Sequence, residues 1–247
     1  MRPGRRLPMA APGRNDTAPL IKAATYNVHG LVGRDACYDP PRIARVIAEL
    51  AADIIALQEV QAPRHSGREL LQLLGAETGY TALGGPTLLR DEGQYGNVLL
   101  CRGEVERHEA IDLTFPGREP RSAINCLLSL HRRQLQVVAT HLGLAPRERR
   151  HQVQHLIDQV LTPGQALIIL MGDLNEWFLW GRPVKWLHRF FSRTPVRRTF
   201  PAIFPLFALD RIWVHPRRNL LGLEVHDSPL ARAASDHLPL TATIRLS

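Results

Sequence analysis

Residues 166–175 read Ala-Leu-Ile-Ile-Leu-Met-Gly-Asp-Leu-Asn. Six apolar residues, Ala166–Met171, run without a break into Gly172 and a carboxylate. An apolar run of this length, bounded by turn residues, is the pattern of a strand buried on both faces. It is far short of the roughly 20 residues that a helix needs to cross a bilayer. Upstream, Pro146 starts a helix in which Val153, Leu156, Ile157 and Val160 recur at helical spacing, and Pro163-Gly164 ends it. Before that helix lies another apolar strand, Leu135–His141. Strand, helix, strand is the repeating unit of an α/β fold.

The alternation continues in both directions. Ala23–Val28 reads as a strand, and Pro40-Pro41 opens an amphipathic helix carrying Ile43, Val46, Ile47 and Leu50 on one face. Ile54–Val60 is a short buried strand, and Ser66 caps a helix through Leu74 that Gly75 ends. Val98–Cys101, Ala123–Leu130, Asp210–Val214, Leu223–His226 and Leu240–Leu246 complete the strands. No internal repeat and no linker-like break follows residue 20. The expectation is one α/β domain over residues 21–247: two mixed β-sheets packed face to face with helices outside, because hairpins and crossovers are mixed. Residues 1–20, rich in Pro, Gly and Arg, read as a flexible basic arm, with Met9 as an alternative start. The arm lacks the apolar run of a signal peptide, so a cytoplasmic protein is expected.

Composition agrees with a folded, soluble chain. The 247 residues are 45% apolar and 22% charged, which excludes disorder throughout and allows a sizeable core. Cys37, Cys101 and Cys126 form no CxxC pair, which argues against a thiolate zinc site and a disulfide scaffold and for a reducing compartment. The net charge of +8 is uneven: residues 182–218 hold nine basic residues and one acid. Two readings stand side by side: a surface for polyanions, and a solvated face in a chain that uses Arg for nearly all its cations.

Polar groups gather where strands end. They are Asn27 in Thr-Tyr-Asn-Val-His-Gly, Glu59 in Leu-Gln-Glu-Val, His141 in Ala-Thr-His-Leu, Asp173 and Asn175 in Gly-Asp-Leu-Asn, and Asp236-His237 in Ser-Asp-His-Leu-Pro. Asp210 opens the strand Asp-Arg-Ile-Trp-Val. Each alone fits turn chemistry or a satisfied surface pair. Together, four carboxylates, two Asn and two His at strand ends form the donor set for a hard cation and a phosphate.

In this order and at these separations, the motifs resemble those of the endonuclease/exonuclease/phosphatase (DNase I-like) superfamily over residues 21–246. The resemblance implies a four-layer α/β/β/α sandwich and a metal-dependent phosphoric ester hydrolase. It implies Mg²⁺, with Mn²⁺ as a substitute, on Glu59, Asn27 and Asp236. Asp173 would orient or deprotonate the attacking water, and Asn175 would bind the phosphate or that water. His237 would stabilise transition-state charge and Asp210 would orient it; His141 would supply a second, acid-type histidine. Tyr95 resembles a tyrosine that approaches the phosphate in some members. Arg121 is a candidate phosphate clamp, with Arg118 competing.

The substrate stays open. Trp177–Arg198 interleaves six aromatic residues with Arg and Lys directly after Gly-Asp-Leu-Asn. It admits a nucleic-acid stacking platform, a membrane-interface element on the inner face of an anionic membrane, or a helix whose Val184, Leu187 and Phe191 face the core. A phospholipid or other phosphoester substrate is the first expectation, and a DNA or RNA nuclease the alternative. A non-catalytic binding protein on the same fold is the rival from another class. No obligate protein partner is inferred.

Overall fold

In the computed structural model, the described residues are 18–63, 66–76, 79–90, 93–161 and 167–246. The expected arm therefore lies almost wholly outside them, as does the Pro163-Gly164 stop. The strands are β1 (Leu20–Asn27), β2 (Ile54–Pro63), β3 (Thr81–Arg90), β4 (Gly93–Cys101), β5 (Glu104–Asp112), β6 (Ser122–Leu130), β7 (Arg133–His141), β8 (Ile168–Asp173), β9 (Asp210–His215), β10 (Leu220–Val225) and β11 (Leu240–Arg245). They form a six-stranded sheet, ordered β10-β11-β1-β2-β4-β3, and a five-stranded sheet, ordered β5-β6-β7-β8-β9. Both are mixed: β1 and β2 run parallel, as do β7 and β8, and the other pairs are antiparallel. The helices are α1 (Pro40–Leu50), α2 (Gly67–Ala76), α3 (Pro146–His155), α4 (Arg182–Phe191) and α5 (Pro229–Ala234).

Burial divides into three apolar layers. The central one holds Ile21, Ala23, Ile54, Ala56, Val137, Ile169, Met171 and Ile212, all from strands, so it lies between the sheets. A second collects Ile43, Val46, Ile47 and Leu50 of α1 with Tyr26, Ile55 and Leu57 on the outer face of the first sheet. A third packs Val153 of α3 and Val184, Leu187 and Phe191 of α4 on Ile168, Leu170 and Trp213. Successive residues of a strand point to opposite faces, so Ile168 and Leu170 face the helices while Ile169 and Met171 face the other sheet. This is the four-layer α/β/β/α sandwich. Among the described residues, no helix is long and apolar enough to cross a membrane.

Local chemistry explains the element starts. Asp39 caps α1 by accepting from the Arg42 N–H at 3.0 Å, with Pro at the first helical position and Ala51 closing the helix in the left-handed region. Ser66 does not cap α2 with its side chain. Its hydroxyl donates to the Pro63 carbonyl at 2.9 Å, and its own carbonyl accepts from Leu70. The helix from Pro146 ends in a π-helical turn, Leu156–Val160.

Three elements go beyond the sequence reading. β3 contains Gly-Gly-Pro, which reads as a loop but is tolerated at the edge of a sheet. β5 is the opposite kind of edge, mostly exposed and charged, so it carries no apolar alternation. α5 is six residues long, too short for a period to show, and starts where the Ser228 hydroxyl accepts from the Ala231 N–H at 3.0 Å.

Cys101 and Cys126 lie in the central layer, free and buried, and burial pushes their thiols up to about 11 and about 12. Cys37 is exposed. A thiol reagent at neutral pH is therefore expected to label one cysteine quickly and the other two only on unfolding. Rapid labelling of all three in the native protein would contradict the packing of the sheets.

Candidate active site

The alternation that builds the central layer also builds the site. Along β1, Ile21 and Ala23 face the other sheet, and two more steps of the same parity reach Asn27. Along β7, Leu135, Val137 and Ala139 lead to His141, and along β8, Ile169 and Met171 lead to Asp173. On β9, Asp210 begins the series that Ile212 and Val214 continue. Register brings these ends together: His141 pairs with Asp173, Asp173 with Asp210, and Asn27 with Gln58. The polar residues therefore replace apolar ones at one edge of the cleft between the sheets.

Glu59 needs one more device. After Gln58, simple alternation would turn it toward the helices. Between Leu57 and Val60 the β2–β4 register slips, so that Gln58 and Glu59 together face Asn97, and Glu59 sits at φ 58°. A bulge of this kind re-aims a side chain. Here it brings the Glu59 carboxylate within 2.9 Å of the Asn27 Nδ2 donor. His29 and Asn175 also have positive φ, at 48° and 49°. Left-handed non-glycine residues are uncommon, and three of them lie at this edge of the cleft.

Asn27 donates from Nδ2 to Glu59 Oε1 and to Asp173 Oδ2, at 2.9 and 3.0 Å. Asp173 is 1% exposed, and its Oδ1 accepts from the Asn175 backbone N–H at 2.8 Å. Its Oδ2 lies 3.7 Å from His141 Nε2 and 3.8 Å from His237 Nε2. Asp210 Oδ2 accepts from Thr199 Oγ1 and lies 2.8 Å from His237 Nδ1. Asp236 and Glu59 share His29, whose Nδ1 is 3.6 Å from Asp236 Oδ1 and 3.9 Å from Glu59 Oε2. The Ser235 hydroxyl donates to the Asn27 carbonyl at 2.8 Å and fixes the Asp236-His237 turn.

The two buried histidines are tuned in opposite directions. Burial works against a charge on His237, but the adjoining charge and hydrogen bond of Asp210, with Asp173 and Asp236 behind, outweigh it and push the imidazole up to about 10. His141 is pushed down to about 3 by burial, with Arg121 and His237 adding to the effect against Asp173. Tyr95 lies against Glu59; burial and that carboxylate hold its hydroxyl protonated.

Arg121 reaches the site from the side of His141. The expected clamp is 6% exposed, with Nη1 3.1 Å from His141 Nδ1 and Nη2 donating to Glu119 at 3.0 Å. Both Nη groups are engaged by the protein, while the buried Nε has no hydrogen-bond partner among the described residues. Arg118 is exposed in the preceding turn. Thr199 is a site residue that sequence reasoning missed, because its segment carries no period and no motif. Trp177–Arg198 is not one element: Trp186 and Phe190 of α4 pack on the outer helical layer, whereas Trp177 lies on the loop after the site.

Among the described residues, no Lys or Arg ion-pairs with Glu59, Asp173, Asp210 or Asp236. Asp173, Asp210 and His237 offer ligand atoms within 4.8 Å of one another. Glu59 and Asp236 are the more accessible pair, at 24% and 38% of side-chain surface exposed. Glu59 and Asp236, with the Asn27 amide beside Glu59 and with access to water, suit a small hard cation.

A two-sheet sandwich with this polar edge defines a class of α/β/β/α proteins. A family model described as Endonuclease/Exonuclease/phosphatase family matches residues 24–237, and the chain belongs to that family. It is 31% identical over 252 residues to the uncharacterized protein YbhP of Escherichia coli (strain K12), covering 92% of this chain and 96% of that one. The fold matches the crystal structure of an endonuclease/exonuclease/phosphatase from Beutenbergia cavernae, with a TM-score of 0.73 at 23% identity over 92% of this chain and 72% of that one. It also matches the human Nocturnin catalytic domain, with a TM-score of 0.70 at 20% identity over 93% and 94%.

Proposed function

We propose that this chain is a divalent-cation-dependent phosphoesterase that hydrolyses a phosphodiester or phosphomonoester by attack of water. The observation that carries the reading is the gathering of four carboxylates, without an Arg or Lys ion pair among the described residues, against two oppositely tuned histidines in one cleft. Family membership supports it, since members are in general hydrolases of phosphoester bonds and usually use divalent metals. The Nocturnin structure carries a bound sulfate, a tetrahedral oxyanion like a phosphate.

Glu59, Asn27 and Asp236 are the residues that would hold Mg²⁺, with Mn²⁺ as a substitute. All carry an oxygen, and the exposure of Glu59 and Asp236 leaves room for the waters that Mg²⁺ keeps. Bound there, the cation would polarise a phosphoryl oxygen and stabilise the leaving oxygen.

The protein's own groups supply the rest. Asp173 Oδ1 is held by the Asn175 N–H and Oδ2 by the Asn27 amide, and the remaining lone pair of Oδ2 orients a water and takes its proton. Asn175 positions the phosphate or that water. His237, held by Asp210 through Nδ1, presents a charged Nε2–H to the developing negative charge. The Arg121 guanidinium lies 3.1 Å from His141 Nδ1 and the Asn175 Nδ2 amide 3.0 Å from Nε2, so donors flank both nitrogens of the ring and fix its orientation. With its protonation held down by burial, His141 stands beside Asp173 as a neutral ring at the place of the phosphate. Tyr95 stands beside Glu59 as a further donor near the phosphate.

The test is hydrolysis of bis-p-nitrophenyl phosphate and of phosphomonoesters with Mg²⁺, Mn²⁺ or EDTA. Turnover with either cation and none in EDTA is the expected result. Full activity in EDTA would sink the metal-dependent reading.

A further inference from the structure

The site-side edge of the five-stranded sheet carries three loops. One follows β7 and holds Leu144. One follows β8 and holds Trp177–Trp180. One precedes β9 and holds Ile203, Phe204 and Leu206. These strands are neighbours in the sheet, so their loops emerge side by side, next to His141, Asp173 and Asp210. Among the described residues, nine of the thirteen exposed large apolar ones sit in these three loops, which is concentration and not scatter. Trp180 is 67% exposed, Phe204 69% and Leu144 65%.

The loops are held in place by buried polar bonds. Arg149 of α3 is buried, donates to the Gly143 and Leu144 carbonyls, and pairs with buried Glu176 at 3.2 Å. Glu176 in turn accepts from the Phe178 N–H at 3.2 Å. One ion pair therefore fixes two loops. Trp177 joins the third, with its ring 4.9 Å from Phe207 and 5.9 Å from Phe200, and Phe200 lies 4.7 Å from His237. The apolar face is thus continuous with the site.

The pattern of charge selects the occupant. Residues 177–181 and 199–209 contain no charged residue, unlike a nucleic-acid platform, in which basic groups are interleaved with the aromatics. The charge lies at the rim: exposed Arg147, Arg182 and Arg198 each stand within a few residues of an apolar loop. Aromatics at headgroup depth with Arg beside them on lipid phosphate is the chemistry of a membrane interface. We infer that these loops are a docking face for an anionic phospholipid bilayer, and that the ester hydrolysed belongs to a lipid headgroup. The second half rests on the phosphoesterase reading; the first does not.

The experiment uses the full chain in EDTA, so that binding is read without turnover. It is sedimented with vesicles of phosphatidylcholine and phosphatidylglycerol in equal parts, and with pure phosphatidylcholine. Preference for the anionic vesicles, a blue shift of Trp emission, and binding that weakens as salt screens the Arg rim are expected. The combined Phe178→Ser, Trp180→Ser and Phe204→Ser variant should lose about tenfold or more in partitioning with its melting temperature retained. Leu20→Ser with Leu221→Ser, which removes exposed apolar residues away from the loops, should bind like the parent. Failure of the wild-type chain to bind anionic vesicles, or undiminished binding by the triple variant, overturns the inference. So does an oligonucleotide, or a second copy of the chain, proving to be what the same three residues hold. A protein that cleaves bis-p-nitrophenyl phosphate yet ignores vesicles refutes the lipid inference alone. One that docks on vesicles but cleaves no ester refutes the hydrolase reading and the headgroup substrate with it.

Discussion

Asp173→Asn is expected to lower phosphoester hydrolysis about a thousandfold, near 4 kcal/mol of transition-state stabilisation. The amide cannot take the proton of an attacking water, although it fills the same space. Two effects on the fold oppose each other. Losing one of four clustered carboxylates relieves like-charge repulsion. Against that, an amide nitrogen facing the Asn27 Nδ2 donor costs about 1–3 kcal/mol where Asp173 now accepts at 3.0 Å. The melting temperature should therefore move little while the rate collapses. Steady-state kinetics with a melting curve on the same sample checks both halves. A variant with near wild-type rate would remove Asp173 from the reaction.

Asp210→Asn separates orientation from charge. With its oxygen at the present Oδ2 position, the amide still accepts from Thr199 and from His237 Nδ1. What it lacks is the charge that lifts the buried His237 imidazole to about 10. The sign follows directly. In the wild-type chain His237 stays protonated from acid up through neutral pH, so this group leaves the rate between pH 6 and 8 unchanged. In the variant the largest upward pull is gone and only Asp173 and Asp236 still oppose burial, so the cation is lost at a lower pH than in the parent. Activity at pH 8 should then fall well below that at pH 6, by about tenfold per unit once the group titrates. Rate measured against pH decides it, and matching profiles for variant and parent would show that the charge on His237 is not used.

Much of this was legible before any coordinates. Each strand that the sequence marks ends near the expected residue, and the polar groups at those ends form one site. Parity along the strands would have sharpened the reading. His141 shares the face of Leu135, Val137 and Ala139, and Asp173 that of Ile169 and Met171. What stayed hidden had weak local signals. β3 and β5 are edge strands whose outer sides need no apolar alternation. Thr199 reaches Asp210 across eleven residues of chain with no repeat to announce it.

The amino-acid sequence by itself determined the order and type of the central elements, because burial on both faces of a strand demands uninterrupted apolar runs and helices need their own period. It also determined the identity of the donors, since residue types at strand ends do not depend on packing. Tertiary structure alone decided where those donors point and what holds them. The β2 bulge turns Glu59 into the cleft, which depends on the register against β4 and not on Glu59 itself. The engagement of Arg121 by His141 and Glu119 depends on β6 and β7 lying side by side. The same holds for the aromatic segment after Asn175: local sequence makes Trp180 and Trp186 look alike, yet the packing of α4 on the outer layer partly buries one, while the other stays in water.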